Sequence, residues 1–144
     1  MTSYVEHANV TVSNLDKAIE FLTTAIPEFG IRKRFHLDGR EWAHVGTPES
    51  YVAIVEEPNS PPPTGTRRAD MDRIGFNHLG FVVPDAAATR ERLRDAGFKG
   101  GYNDGELIEA PTRTSVYYLD ADGNEFEFMQ YLTPDIDARN KYDV

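Results

Sequence analysis

The stretch DADGNEFEFMQY, residues 120–131, decides how the rest of the chain is read. Glu125 and Glu127 alternate with Phe126 and Phe128, so a β-strand here sets both carboxylates on one face and both rings on the other. The DADG before it is a turn, and RTSVYYLD before that is a second strand. A strand with so apolar a face puts its glutamates either into solvent or into a polar cavity holding a metal.

Outward from this hairpin, IGFNHLGFVVP (74–84) reads as a strand and DAAATRERLRDAGF (85–98) as a capped helix closed at Gly97. KGGYNDGELIEAP (99–111) reads as one short strand and a long loop. The first half repeats this order. YVEHANVTVS alternates as a strand, and then comes a helix with Ser13 or Asn14 as cap and Leu15, Ile19, Leu22 and Ile26 as its stripe. Two strands then join at Asp38-Gly39, and SYVAIVEEP is the last strand. His7 and His78 open matching strands, 78 − 7 = 71 residues apart. The expected fold is α+β: two βαβββ modules forming a curved mixed sheet around a central cavity, helices on the outer face. The expected boundaries are 1–57, a proline-rich linker 58–73, 74–132, and a tail 133–144.

Helices bury the apolar strand positions, here Ala8, Val10 and Val12, then Leu79, Phe81 and Val83, then Phe126 and Phe128. His7, His78, Glu125 and Glu127 therefore share the opposite, cavity side. Two imidazoles and a carboxylate suit Fe(II), Mn(II) or Zn(II). Tyr117 and Tyr118 are adjacent, so one faces inward, to bond a substrate oxygen or to pack. His36 and His44 read as exposed or satisfied, and Phe35 and Trp42 as core or cavity wall. TRRADMDR (66–73) reads as a solvated loop, with a clamp on an anionic substrate as the alternative.

Composition narrows the function classes. The chain has 144 residues and a formal charge of −9, which opposes nucleic acid or an anionic membrane as partner. No cysteine is present, so disulfides, thiolate ligands and cysteine nucleophiles are excluded. The strand pattern begins at the N-terminus, without an apparent signal segment, and a cytoplasmic protein is expected.

The paired βαβββ order, a histidine at the start of each first strand and Asp-x-Asp-Gly-Asn-x-x-Glu at 120–127 together resemble the vicinal oxygen chelate superfamily. That group includes glyoxalase I, bleomycin and fosfomycin resistance proteins and extradiol dioxygenases, and the resemblance spans about Tyr4 to Leu132. It implies a metal-dependent dioxygenase, lyase or isomerase that binds a small substrate through two adjacent oxygens. The alternative is a metal-free sequestering protein of the bleomycin-resistance type. The implied ligands are His7, His78 and Glu127, with Glu127 chosen over Glu125 because it is third after Asn124. The implied cofactor is Fe, Mn, Zn or Ni, and the implied assembly is a homodimer. Glu125 is then left as a rim or solvent residue.

Glyoxalase I carries a further glutamate in the first module. Apolar parity puts Ala53 in that place, whereas offset arithmetic, 127 − 71 = 56, puts Glu56 there. Glu127, Glu56 and Tyr117 are the candidate catalytic groups, with Ala53 the preferred equivalent of Glu127.

Overall fold

The computed structural model describes residues 2–59 and 65–141. Residues 60–64 of the expected linker and the last three residues of the expected tail lie outside the described residues. The chain divides into two compact units, residues 1–63 and 64–144.

In the first unit, β1 (His7–Val12), α1 (Leu15–Ala25), β2 (Gly30–Leu37), β3 (Arg40–Gly46) and β4 (Tyr51–Glu56) succeed one another. Asn14 is the cap: its side-chain oxygen accepts the Lys17 N–H at 2.9 Å. α1 buries Leu15, Ala18, Ile19, Phe21, Leu22 and Ala25 and packs on β3 and β4. Beneath it lie Ala43, Val45, Val52 and Ile54, all nearly inaccessible; burying such a side chain is worth about 1.5–3 kcal/mol for the larger ones. The β2–β3 turn has Asp38 and Gly39 at φ 53° and 75°, the pair of left-handed residues that a two-residue hairpin needs. The sheet order is β1-β4-β3-β2, with β1 parallel to β4 and the other pairs antiparallel.

The second unit repeats the plan with β5 (Leu79–Val82), α2 (Ala86–Asp95), β6 (Lys99–Gly100), β7 (Ile108–Ala110), β8 (Arg113–Leu119) and β9 (Glu125–Tyr131). Asp85 caps α2 through the Ala88 N–H at 3.0 Å. β5 is parallel to β9, β8 joins β9 antiparallel, and β6 and β7 both pair with β8. Phe81 stacks on Phe126 and Phe128 at 6.2 and 5.8 Å, closing the apolar layer under α2.

Three expectations change. The strand expected over 74–84 is only Leu79–Val82. Residues 74–77 have no strand partner, Gly75 takes φ 128°, and Ile74 and Phe76 are exposed. The stretch 99–111 holds two short strands around a 3-10 turn, Tyr102–Gly105, rather than one strand. The tail contains a short helix, α3 (Ile136–Arg139), capped by Asp135, and Arg139 lies over the Tyr131 ring at 4.6 Å. Within the described residues, 65–68 also bond to β9, through Glu125 N–H to the Thr66 carbonyl at 2.7 Å.

Candidate functional site

The turn before β9 explains the Asp-x-Asp-Gly-Asn pattern. The Asp120 carboxylate accepts the N–H groups of Asp122 and Asn124 and the Asn124 side-chain amide, all at 2.9–3.0 Å. Gly123 sits at φ 82°, where a side chain is strained. Burial raises the Asp120 carboxyl pKa, and these hydrogen bonds oppose the rise. The motif is thus a rigid turn that sets the register of β9.

The two glutamates that open β9, Glu125 and Glu127, differ sharply. Glu127 is half-buried, pairs with Gly80 of β5 and Tyr117 of β8, and lies on the face away from α2. Its Oε2 is 3.1 Å from His78 Nε2. Glu125 is 2% exposed. It accepts the backbone N–H groups of Arg68 and Tyr102, so it pins two loops rather than meeting solvent. The expectation of a rim residue fails because residues 65–68 and 101–102 fold over it. No feature of the strand itself signals that cover.

His78 is oriented by Asn77. The Asn77 amide nitrogen donates to the Arg67 carbonyl at 2.6 Å, which leaves its oxygen facing His78 Nδ1 at 2.7 Å. Nδ1 therefore donates, and in the neutral ring Nε2 carries a lone pair aimed at the Glu127 carboxylate. Two acceptors 3.1 Å apart call for a positive charge between them, a proton or a metal ion. The separation fits two neighbouring ligands of one ion: donors at roughly 2.1 Å and at right angles lie about 3 Å apart.

Tyr117 is buried and shares this face. Its ring meets His78 edge-on at 5.3 Å and Tyr102 at 5.4 Å. Burial, then the Glu127 charge, pushes its hydroxyl up to about 12, with the Arg68 guanidinium opposing. It stays protonated at neutral pH, as a donor. A separate cleft of about 380 Å³ lies between Arg67 and Ala69 on one side and residues 100–104 on the other, with Glu125 in its wall; His78 and Glu127 do not line it.

In the first unit His7 lies at the start of β1, exposed, with Nδ1 3.0 Å from Glu6 and its ring stacked on Tyr51 at 4.9 Å. Tyr51 continues to His44 at 4.7 Å and His44 to Phe35 at 5.3 Å, while Trp42 stacks on Phe35 at 6.0 Å. Burial, then Arg32, lowers the His44 pKa. Glu56 lies at the other end of β4, where its Oε2 accepts the Leu15 N–H at 2.7 Å and holds the start of α1.

Register settles which residue of β4 matches Glu127. Ala8 pairs with Val52, and its repeat mate Leu79 pairs with Phe126, so the β4-to-β9 offset is 126 − 52 = 74. Ala53 matches Glu127, and Glu56 matches Gln130. Gln130 accepts the Ala86 N–H at 3.0 Å, the same service to α2 that Glu56 gives α1. Among the described residues no group of three His, Cys, Asp or Glu side chains is gathered to hold a metal. His78 and Glu127 are brought together within the second unit, and His7 belongs to the first.

The family model of the Glyoxalase/Bleomycin resistance protein/Dioxygenase superfamily matches residues 4–128. The chain belongs to this superfamily. A "Probable lactoylglutathione lyase" of Synechocystis sp. is 28% identical over 129 residues, covering 88% of this chain and 95% of the relative. A glyoxalase family protein from Bacillus cereus matches with a TM-score of 0.74 at 19% identity, over 92% of this chain and 97% of that one. The fosfomycin resistance protein FosX of Listeria monocytogenes, solved with Mn(II) and sulfate, matches with a TM-score of 0.64 at 18% identity, over 98% and 100%. At those identities the two structures share the fold. Among the described residues, no helix is long and apolar enough to cross a membrane.

Proposed function

We propose that the chain is a metal-dependent enzyme of the vicinal oxygen chelate type, acting on a small substrate as a dioxygenase, lyase or isomerase. The observation that carries the reading is His78 Nε2 facing the Glu127 carboxylate at 3.1 Å with Asn77 on its other nitrogen. His78 and Glu127 would hold the ion, and His7, the repeat mate of His78, is proposed as the third ligand, supplied by this chain or by a second copy in a homodimer. A divalent ion, Fe, Mn, Zn or Ni, supplies a Lewis acid for two adjacent substrate oxygens. Asn77 fixes the imidazole tautomer, and Tyr117 offers a proton that stays in place at neutral pH. Glu127 is the candidate proton carrier of the second unit. Glu56 is engaged at the start of α1 and Ala53 carries no carboxylate, so the β4 register offers no second base. That favours a reaction needing a single carboxylate. Similarity to a probable lactoylglutathione lyase supports a small-molecule role, and a cytoplasmic location is proposed with it.

A second reading rests on the ring array Trp42, Phe35, His44 and Tyr51, which offers a stacking surface to a drug or metabolite without metal. Metal content decides between them. Protein purified without chelator and titrated with Mn(II), Zn(II), Ni(II) and, anaerobically, Fe(II) is expected to hold one ion per chain. His7→Ala, His78→Ala and Glu127→Ala are expected to lose it. No binding of any of these ions, or full retention in His78→Ala, sinks the enzyme reading.

A further inference from the structure

Beside the His78–Glu127 pair stands a cation that carries no counter-ion among the described residues. Arg68 is half-buried, and the ion pairs among those residues do not include it. Its guanidinium lies over the Tyr102 ring at 4.8 Å, meets the Met71 sulfur and acts on the Tyr117 hydroxyl. Tyr102 meets Tyr117 edge-on at 5.4 Å, and Tyr117 meets His78 at 5.3 Å, so the cation is linked ring by ring to the pair. Stacking orients the plane of a guanidinium, and five donors leave some for a planar anion beyond those turned to Met71 and Tyr117.

The position of this cation is built. Arg68 donates its backbone N–H to Glu125, across 57 residues of chain, and Tyr102 donates its own to the other oxygen of the same carboxylate. Asn77, which orients His78, bonds to the Arg67 carbonyl next door. One buried carboxylate and one amide thus tie the Arg68 loop to the site. A half-buried guanidinium that stacks on a ring and pairs directly with no carboxylate among the described residues is a site for a ligand anion.

We propose that Arg68, backed by Tyr102 and the Tyr117 hydroxyl, binds a carboxylate on the substrate, and that Glu125 is the residue that positions it. The substrate class is therefore an anionic small molecule bearing a carboxylate near its two chelating oxygens. The chelating half of this description rests on the metal-dependent reading; the anion half rests on Arg68 alone.

The test uses succinic monohydroxamic acid, which has a chelating end and a carboxylate end, and its methyl ester, which has lost the charge. Both are titrated calorimetrically into metal-free and Mn(II)-loaded protein, and Mn(II) binding is measured on the same samples. The wild type is expected to prefer the acid by about tenfold, the usual worth of one charge-assisted pair. Arg68→Met is expected to abolish the preference while leaving ester affinity and Mn(II) binding unchanged. Glu125→Gln is expected to shrink the preference without weakening the ester, which a merely destabilised fold would not do. Raising the ionic strength is expected to shrink it in the wild type, a readout that survives if Arg68→Met does not fold. Equal affinity for acid and ester in the wild type, or an undiminished preference in folded Arg68→Met, overturns the proposal. If Mn(II) does not bind but the acid is still preferred through Arg68, the anion site stands and the metal reading alone has failed.

Discussion

The last strands of the two units, β4 and β9, occupy the same place in the same plan and have been put to different uses. Val52 and Ile54 in one, Phe126 and Phe128 in the other, fill the layer under a helix. At their far ends Glu56 and Gln130 accept the first N–H of α1 and of α2. Between these shared points they diverge. β4 has Tyr51 and Ala53, with Tyr51 in a stack between His7 and His44. β9 has Glu125 and Glu127 in the matching places, one buried beneath two loops and one facing His78. The apolar layer and helix starts are what the fold needs from each copy, so they recur. The opposite face is free to differ, and there one unit carries rings where the other carries charge.

The largest expected break comes at Glu127. Glu127→Ala is expected to lower metal affinity by about 100-fold or more and to abolish metal-dependent activity, whereas Ala53→Ser, the matching place in β4, leaves both within about twofold; isothermal titration with Mn(II) reads the contrast. Next is Glu125. Glu125→Ala strands the Arg68 and Tyr102 N–H groups and is expected to cost about 3 kcal/mol in urea unfolding, beyond an ordinary surface change.

Tyr117 gives a smaller effect with a defined pH window. Its hydroxyl is pushed from 10.0 to about 12 in the folded chain, so the folded state holds this proton more tightly than the unfolded one. That stabilisation is complete below pH 10 and is lost as pH rises to about 12, a fall of about 2 kcal/mol that Tyr117→Phe is expected to remove. Denaturant midpoints across that range for both proteins check it; an identical decline in the variant refutes the assignment. The smallest effect tests what the two strands share. Glu56→Gln is expected to cost about 0.5 kcal/mol and Gln130→Glu to gain about as much, because a carboxylate at a helix start interacts better with the dipole than an amide does. Thermal melts that move both in one direction would show that the two contacts are not equivalent.

Much of this was legible in the residues. A cap at Ser13 or Asn14, a capped helix over 85–98, Asp38-Gly39 as the hairpin turn and the alternation of β9 each depend on neighbours a few positions away. Ala53 as the mate of Glu127 was legible by parity, whereas the offset that suggested Glu56 was three short, 74 against 71, because it took the histidines as its ruler and the segments between strands differ in length. The burial of Glu125 was not legible, nor were Asn77 and Arg68 as parts of the site. Each depends on residues 65–77, whose loop composition looks the same whether it is solvated or folded over a strand.

The sequence by itself determined the repeat, the strand–helix order outside residues 99–111 and the tail, the apolar faces and the side of the sheet on which His7, His78 and Glu127 lie, because periodicity is a local property of the chain. Only the tertiary structure decided that Glu125 holds loops, that His78 presents Nε2 to Glu127 and that a guanidinium, that of Arg68, in no ion pair among the described residues lies beside them. Burial and hydrogen-bond partnership are set by segments distant in sequence, here 57 residues from Arg68 to Glu125 and 49 from His78 to Glu127, and no local pattern encodes which distant segment arrives.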